Sequence, residues 1–469
     1  MPVSAPSYWL EEALKSEQGE PCPPLSHDRQ ADVCIVGGGY TGLWTALRLK
    51  SLEPSLDVAL IDAHYCGYGA SGRNAGFLLT WNAKFPLLAE YCGAQEALRL
   101  VRESRAVLGE VESFCQAHAI DCQFRRTGWL WTAANAAQRD AWRPTLDALD
   151  KVGDQPFTVL TAEEAVRRSG SPSVAGAVFD PTAAILQPAM LARGLRRAAL
   201  AAGVRIYENT RMLALERGRP PRVRTARGTI TAKKVVLGLN AWASEMPEFR
   251  RTVICVASDQ HMTAPIPDRL ASVGLGQGLA FSDSRLLVFG YRTTVDGRIN
   301  FSKGGGDFAF AGRVGSGFHE AATRTGEVVE VFHRLYPSLK DVPIVESWRG
   351  PVTRTPHGLP MFGHSKGHPD ILYGHGYCGN GVGPSFIGGR ILASLALERS
   401  DEWSSIPLVN ARPKMRFPPE PFRYVGAYAV RAAIRRKERA EDEGRVPRRI
   451  DTWLAGLAPA GLTPTNDEK

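Results

Sequence analysis

Apolar positions in the first third of the chain change period twice. Residues 31–36, Ala31-Asp32-Val33-Cys34-Ile35-Val36, are an almost unbroken apolar run, the pattern of a strand buried on both faces of a parallel sheet. A helix is predicted over 41–50 and a second strand over 57–62. Across 85–118 the spacing turns helical, with Leu87, Leu88, Tyr91, Ala97, Leu98, Leu100, Val101, Val107, Leu108, Val111 and Phe114 recurring on one side. Residues 124–132 alternate like a strand around Gly128, 134–152 read as a helix, and Thr161 caps a short helix from Ala162. From 252 to 306 the pattern is β, with strands at 253–257, 285–292 and 298–302 and an Asp296-Gly297 hairpin turn. A helix over 384–397 follows. After the proline-rich stretch 413–421 comes a strongly basic helix, 422–439.

The junction between the first strand and first helix carries chemistry. Gly37, Gly39 and Gly42 occupy G-x-G-x-x-G positions, with Tyr40 and Thr41 between them. Glycine at the first allows a tight turn, at the second a close approach of backbone to a pyrophosphate, and at the third close packing of helix on strand. The helix N-terminus then faces the phosphates. Asp62 closes the second strand, placed to accept both ribose hydroxyls. Together these form a complete dinucleotide fingerprint, which by itself leaves NAD and FAD open.

The next segment separates the two. Residues 65–77 hold Ala70, Ser71, Arg73, Asn74, Ala75 and Gly76 in a glycine-rich loop too irregular for helix or strand. This run resembles the GASGRNxG segment of the D-amino-acid oxidase superfamily, the FAD-dependent amine and amino-acid oxidases that include glycine, sarcosine and gamma-glutamylputrescine oxidases. The resemblance extends from Ser7-Tyr8-Trp9 to about Leu397. It implies that 204–212 is the strand whose backbone meets the adenine, at Met212, and that 234–242 closes over the cofactor through Asn240 and Trp242. It also implies that the turn 373–383, with Gly376, Gly379, Asn380, Gly381 and Val382, addresses the flavin from a helix end. Where sarcosine-oxidase-like relatives carry a covalent cysteine this chain has Trp348, and 71–76 hold no histidine, so the implied FAD is non-covalent. With its basic tail, the chain is most similar to a group of aminophosphonate oxidoreductases.

The implied fold is α/β, α+β overall: a Rossmann-like FAD-binding domain with a mixed-sheet substrate domain, D-amino-acid-oxidase-like. The expected division is a leader over 1–29, an FAD-binding domain from 30–82, 180–245 and 340–400, a substrate domain from 83–179 and 246–339, and a basic helical tail over 401–469. The implied reaction oxidises a carbon–nitrogen bond, with hydride passing to the flavin, hydrolysis of the imine and O2 as acceptor giving H2O2. Candidate catalytic groups follow. Lys303 beside the flavin would favour electron transfer to oxygen; otherwise it is a solvated loop lysine. Tyr291, Arg292 and Tyr377 could hold an anionic substrate end, since guanidinium binds carboxylate or phosphonate bidentately. Arg349, Arg354 and His357 reach the ring or substrate, or serve as structural hydrogen-bonding groups.

Composition narrows the class. At 469 residues, 44% hydrophobic and 22% charged, the chain reads as a two-domain globular enzyme. It has no apolar run of about 18 residues and no basic-then-apolar leader, so cytoplasmic residence without stable membrane insertion is expected. None of the eight cysteines forms a C-x-x-C pair, and no metal is expected. The net charge of +9 is densest in the tail, where Glu438, Glu441, Asp442 and Glu443 can pair it. A small-molecule amine is the expected partner and nucleic acid is not; oligomeric state is open. Two rivals remain: a dehydrogenase passing electrons to a membrane quinone or carrier, and a basic membrane- or nucleic-acid-binding protein with structural FAD.

Overall fold

The computed structural model describes residues 7–17, 21–276, 278–411 and 415–459. The expected leader before Ser7, Pro413 of the proline-rich stretch and the tail from 460 onwards, Leu462 included, lie outside the described residues.

Two large sheets share the fold. The first runs in the order Met361–Ser365, His368–His375, Thr229–Leu237, Arg29–Val36, Val58–Ile61, Arg205–Tyr207. Its four inner pairings are parallel, and only the Met361–Ser365 edge of that row is antiparallel. The apolar run of the first strand is explained by cover on both sides. Val33 and Ile35 pack into the helical core with Leu43 and Leu392, while Cys34 and Val36 pack with Val235 and Leu237 on the other face. The helices Tyr40–Leu52, Pro188–Ala201 and Pro384–Ala396 supply residues to that helical core.

The second sheet has the order Ile344–Arg354, Ile254–Thr263, Ile299–Lys303, Phe289–Thr293, Ala280–Asp283, Trp129–Ala133, Gly176–Asp180, Thr158–Leu160. It is antiparallel except where Ala280–Asp283 meets Trp129–Ala133. Residues 344–354 therefore pair with this sheet, although 340–400 was expected in the cofactor domain.

Several boundaries differ from the sequence pattern for local reasons. The 85–118 helix breaks in two at Gly93, whose φ is +83°. The helix expected over 134–152 survives only as the short turn Ala136–Gln138 and the helix Arg143–Asp150. The strand expected at 285–292 begins at Phe289. Residues 285–288 form a turn held by Asp283, whose Oδ1 accepts the Phe289 N–H at 2.9 Å and whose Oδ2 pairs with Arg285. Thr161 caps its helix as expected, accepting from Glu164 N at 3.2 Å. The basic helix runs Phe422–Asp442, followed by a short helix Arg449–Ala455.

Candidate active site

A cavity of about 1030 Å³ lies between the two sheets. At one end Val36 delivers the chain into Gly37, whose φ is +111°. Gly42 sits just beyond the cavity wall: a Cβ there would lie 2.0 Å from the Gly37 carbonyl oxygen, so only glycine lets the helix approach the strand. Gly39, Tyr40 and Thr41 line the wall. The Ser71 hydroxyl accepts from Tyr40 N at 2.9 Å and so joins the glycine turn to the loop after the second strand. Asp62 lines the same end. Its Oδ2 accepts from Gly38 N and its Oδ1 from His64 N, both at 2.8 Å. Burial nevertheless pushes its carboxyl up to about 6. Met212 lies on this end of the wall with Thr210.

The loop after the second strand forms the next stretch of wall, through Ala70, Ser71, Arg73, Asn74 and Ala75. Asn74 shapes it internally: Nδ2 donates to the Ala70 and Ser71 carbonyls at 3.0 Å, and Oδ1 accepts from Gly76 N at 2.7 Å. Gly76 itself is outside the lining, its carbonyl accepting from Leu186 N. Arg73 is 1% exposed. Its Nε donates to the Tyr68 carbonyl and its Nη1 to the Arg349 carbonyl, while the buried Nη2 has no protein partner among the described residues. A buried cationic N–H without a partner is costly, and a bound anionic or carbonyl group would satisfy it.

Asn240 and Trp242 cover the cavity from the turn after Thr229–Leu237. Thr353 Oγ1 donates to Asn240 Oδ1 at 2.9 Å, and Trp242 stacks on His319 at 5.5 Å. From the opposite side Tyr377, Gly379, Asn380, Gly381 and Val382 line the wall at the start of the Pro384–Ala396 helix. The Tyr377 hydroxyl accepts from Thr41 Oγ1 at 2.8 Å, tying the two glycine-rich turns together. Gly376 is behind the wall, its carbonyl accepting from the Cys378 thiol.

Five of the seven candidate catalytic residues do not line the cavity. In a strand successive side chains point to opposite faces, and this alternation decides most of them. Ser302 and Gly304 face the cavity, so Lys303 faces away; its Nζ donates to the Leu287 carbonyl at 3.1 Å and pairs with Glu438 of the tail helix at 3.3 Å. Gly290 faces in, so Tyr291 is buried in the far core, its hydroxyl donating to the Ser169 carbonyl beside Tyr336. Gly350 lines the cavity and Arg349 does not. Its guanidinium is taken up by Asp259 at 2.6 Å, Asp307 at 2.8 Å and Thr323 at 2.7 Å. Arg292 shares the face of Gly290 but sits one step further along, against Leu186 and over the Trp9 ring at 4.9 Å; burial pushes it down to about 9. His357 is held behind the wall, its Nδ1 accepting from Leu359 N at 3.1 Å, and burial lowers it to about 4. Of the seven, Tyr377 and Arg354 are on the cavity.

Two further cations on the wall are Lys84, which the sequence pattern did not single out, and Arg354, which it did. Lys84 lines the cavity although only 5% exposed, and burial pushes its ammonium down to about 8. Arg354 lines it too, its Nη1 donating to the Cys378 carbonyl at 2.9 Å. The one local signal for Lys84 is a lysine flanked directly by apolar Ala83 and Phe85, in Trp81-Asn82-Ala83-Lys84-Phe85. Apart from Arg354 at the end of its edge strand, the second sheet contributes uncharged groups, among them Ser258, Gln260, Ser282, Gly290 and Ser302.

A nucleotide cradle opening onto a sheet-floored chamber defines a dinucleotide-dependent oxidoreductase, and the orphaned Arg73 N–H together with the close glycine turn fits a bound FAD. The chain belongs to the DAO family of FAD-dependent oxidoreductases, whose model matches residues 32–395. It is similar to gamma-glutamylputrescine oxidoreductase of Escherichia coli (strain K12), at 29% identity over 84% of this chain and 91% of that one. It is 30% identical to the probable oxidoreductase OrdL of Rhizobium meliloti (strain 1021), over 86% of this chain and 90% of the relative. Among solved structures, glycine oxidase from Geobacillus kaustophilus superposes with a TM-score of 0.67 at 23% identity, covering 82% of this chain and 100% of that one. The protein is an FAD-dependent oxidoreductase of the amine and amino-acid oxidase type.

Proposed function

We propose that this enzyme oxidises the C–N bond of a small amine bearing an anionic group, an amino acid or aminophosphonate, to an imine that hydrolyses to an aldehyde or keto product. O2 is the acceptor in this reading, giving H2O2, and the FAD is held non-covalently. The observation that carries it is one cavity running from Asp62 to the second sheet, with Lys84 and Arg354 on its wall in addition to Arg73, Arg211 and Arg217. Bound there, the flavin supplies hydride acceptance from the carbon next to an uncharged amine. The protein's share is binding and orientation. Lys84 and Arg354 attract the anionic end, Arg354 being tethered to the glycine-rich turn through the Cys378 carbonyl. The neutral sheet face leaves the amine without a carboxylate partner, which favours its uncharged form. The named substrates of two relatives, gamma-glutamylputrescine and glycine, are amines that carry a carboxylate, in keeping with this choice.

The test is anaerobic bleaching of the purified flavoprotein by a panel of amino acids, N-methyl amino acids, polyamine conjugates and aminophosphonates. Bleaching by anionic amines, and loss of that response in Lys84→Met and Arg354→Met, is expected. Equal bleaching by neutral amines overturns the anionic assignment.

One observation favours the quinone reading. Ile450, Trp453 and Leu457 of the last helical segment are 57%, 62% and 57% exposed, close in sequence to the exposed Arg448 and Arg449, a composition suited to a membrane surface. Peroxide formation in air, in step with amine consumption, decides for oxygen.

A further inference from the structure

The face of the second sheet that looks into the cavity carries an ordered row. Gln260 pairs with Ser302, Ser302 with Gly290, and Gly290 with Ser282, so four consecutive strands present one residue each at the same level. All four line the cavity. With neighbouring strands about 4.8 Å apart, the row from Gln260 to Ser282 spans roughly 14 Å.

Its chemistry is uniform. Gln260 is 5% exposed, yet its carboxamide oxygen is buried without a protein partner among the described residues. Turning the amide over would leave a nitrogen in the same position. Among the described residues no protein group is hydrogen-bonded to the Ser302 or Ser282 hydroxyls either. Gly290 leaves a notch between them, floored by backbone and bordered by Phe77. The next row, Gly350, Ser258, Gly304 and Val288, is also uncharged. Three charged residues of these strands, Asp259, Lys303 and Arg349, pair with Arg324, Glu438 and Asp307 on the other face, while Arg354 reaches the wall from the end of its strand and Arg292 lies beyond the row against Leu186. A buried carboxamide and two hydroxyls left open toward a ligand chamber are satisfied by a ligand with neutral donors and acceptors along its length.

We infer that the Gln260–Ser302–Gly290–Ser282 row is a specificity subsite that reads hydroxyl or amide groups on the carbon skeleton of the amine, selecting such amines over plain alkyl amines of the same length. The inference rests on the amine-oxidising reading and deepens it. A plain alkyl chain on this row would leave Gln260 dry and unpaired, and sites built to hydrogen-bond a substrate discriminate strongly against analogues that lack the group.

The experiment compares kcat/KM for gamma-glutamylputrescine with that for an analogue in which two methylenes replace the amide, using the full-length holoenzyme. Wild type is expected to prefer the amide-bearing amine by about tenfold or more, and Gln260→Met and Ser302→Ala to narrow the ratio to about threefold or less. Because the readout is a ratio between two substrates, a general loss of structure does not imitate it. Ser282→Ala, a smaller change at the far end of the row, replaces Gln260→Met if that variant loses its flavin. Equal turnover of both analogues by wild type, or an undiminished ratio in the variants, overturns the subsite. Failure of every amine to reduce the flavin overturns the oxidase reading itself, a different result.

Discussion

At the scale of single residues, Asp62 is a carboxylate on which folding and the proposed ribose contact make opposite demands. It accepts two backbone N–H groups, yet burial raises its carboxyl from 3.8 to about 6. An acid whose pKa is raised on folding stabilises the flavin-free protein at low pH, and that contribution is lost as pH rises through about 6. Ribose binding as proposed at Asp62 runs the other way, because hydroxyls would donate to the carboxylate. Flavin should therefore dissociate as pH falls through about 6, read from the fluorescence of released FAD. Each charge-assisted hydrogen bond is worth about 1.5–3 kcal/mol, so Asp62→Ala should purify largely without flavin. Full occupancy in that variant, or pH-independent retention in wild type, contradicts the assignment.

Among the elements, the tail helix has the most informative position. Glu438 accepts from Leu287 N at 2.9 Å and pairs with Lys303, while Arg431 Nη1 donates to the Gly306 carbonyl at 2.8 Å. Asp442 reaches Arg285 and Arg334. The helix thus grips the turns that carry Val288, Gly304 and Gly305 to the cavity wall. Its charges are largely spent within the molecule, with Arg435, Arg436 and Lys437 also paired. Both Lys303 and Glu438 have side chains 8% exposed, and breaking a buried pair from one side costs about 3–5 kcal/mol. We expect Lys303→Met to lower the unfolding midpoint and to slow flavin reduction and reoxidation alike, if at all. Slower reoxidation by air with unchanged stability would restore the oxygen role to Lys303.

Over the whole molecule, the two sheets are joined through Arg349. Its guanidinium holds the wholly buried Asp259, and its carbonyl accepts from Arg73 of the cofactor loop at 2.9 Å. Trp348 Nε1 returns a bond to the Arg73 carbonyl at 2.9 Å. Arg349→Met leaves Asp259 with Arg324 at 3.0 Å, so the loss should fall near the low end of roughly 3–5 kcal/mol. Thermal unfolding followed by flavin release and by circular dichroism together checks this. We expect flavin to leave at a lower temperature than in wild type, with loss of secondary structure close behind.

The glycine-turn end of the cavity is legible in the sequence because its parts are local. Strand, glycine turn, helix and acid lie within 29–62, and steric rules at Gly37 and Gly42 hold whatever the rest of the chain does. The loop of Arg73 and Asn74 and the turn before Pro384 are legible for the same reason. The sheet-floored end is not, because its side chains come from strands far apart in sequence, and pairing register decides which face each residue meets. A shift of one position exchanges Ser302 for Lys303 and Gly290 for Tyr291 on the cavity wall, a difference that composition and motif do not encode. Lys84 likewise reads as one lysine among apolar neighbours until the fold buries it on the cavity wall. The sequence by itself determined the nucleotide cradle, whose geometry is set by neighbours along the chain. Tertiary structure alone decided which charges reach the cavity wall, because burial and partners are set by long-range packing.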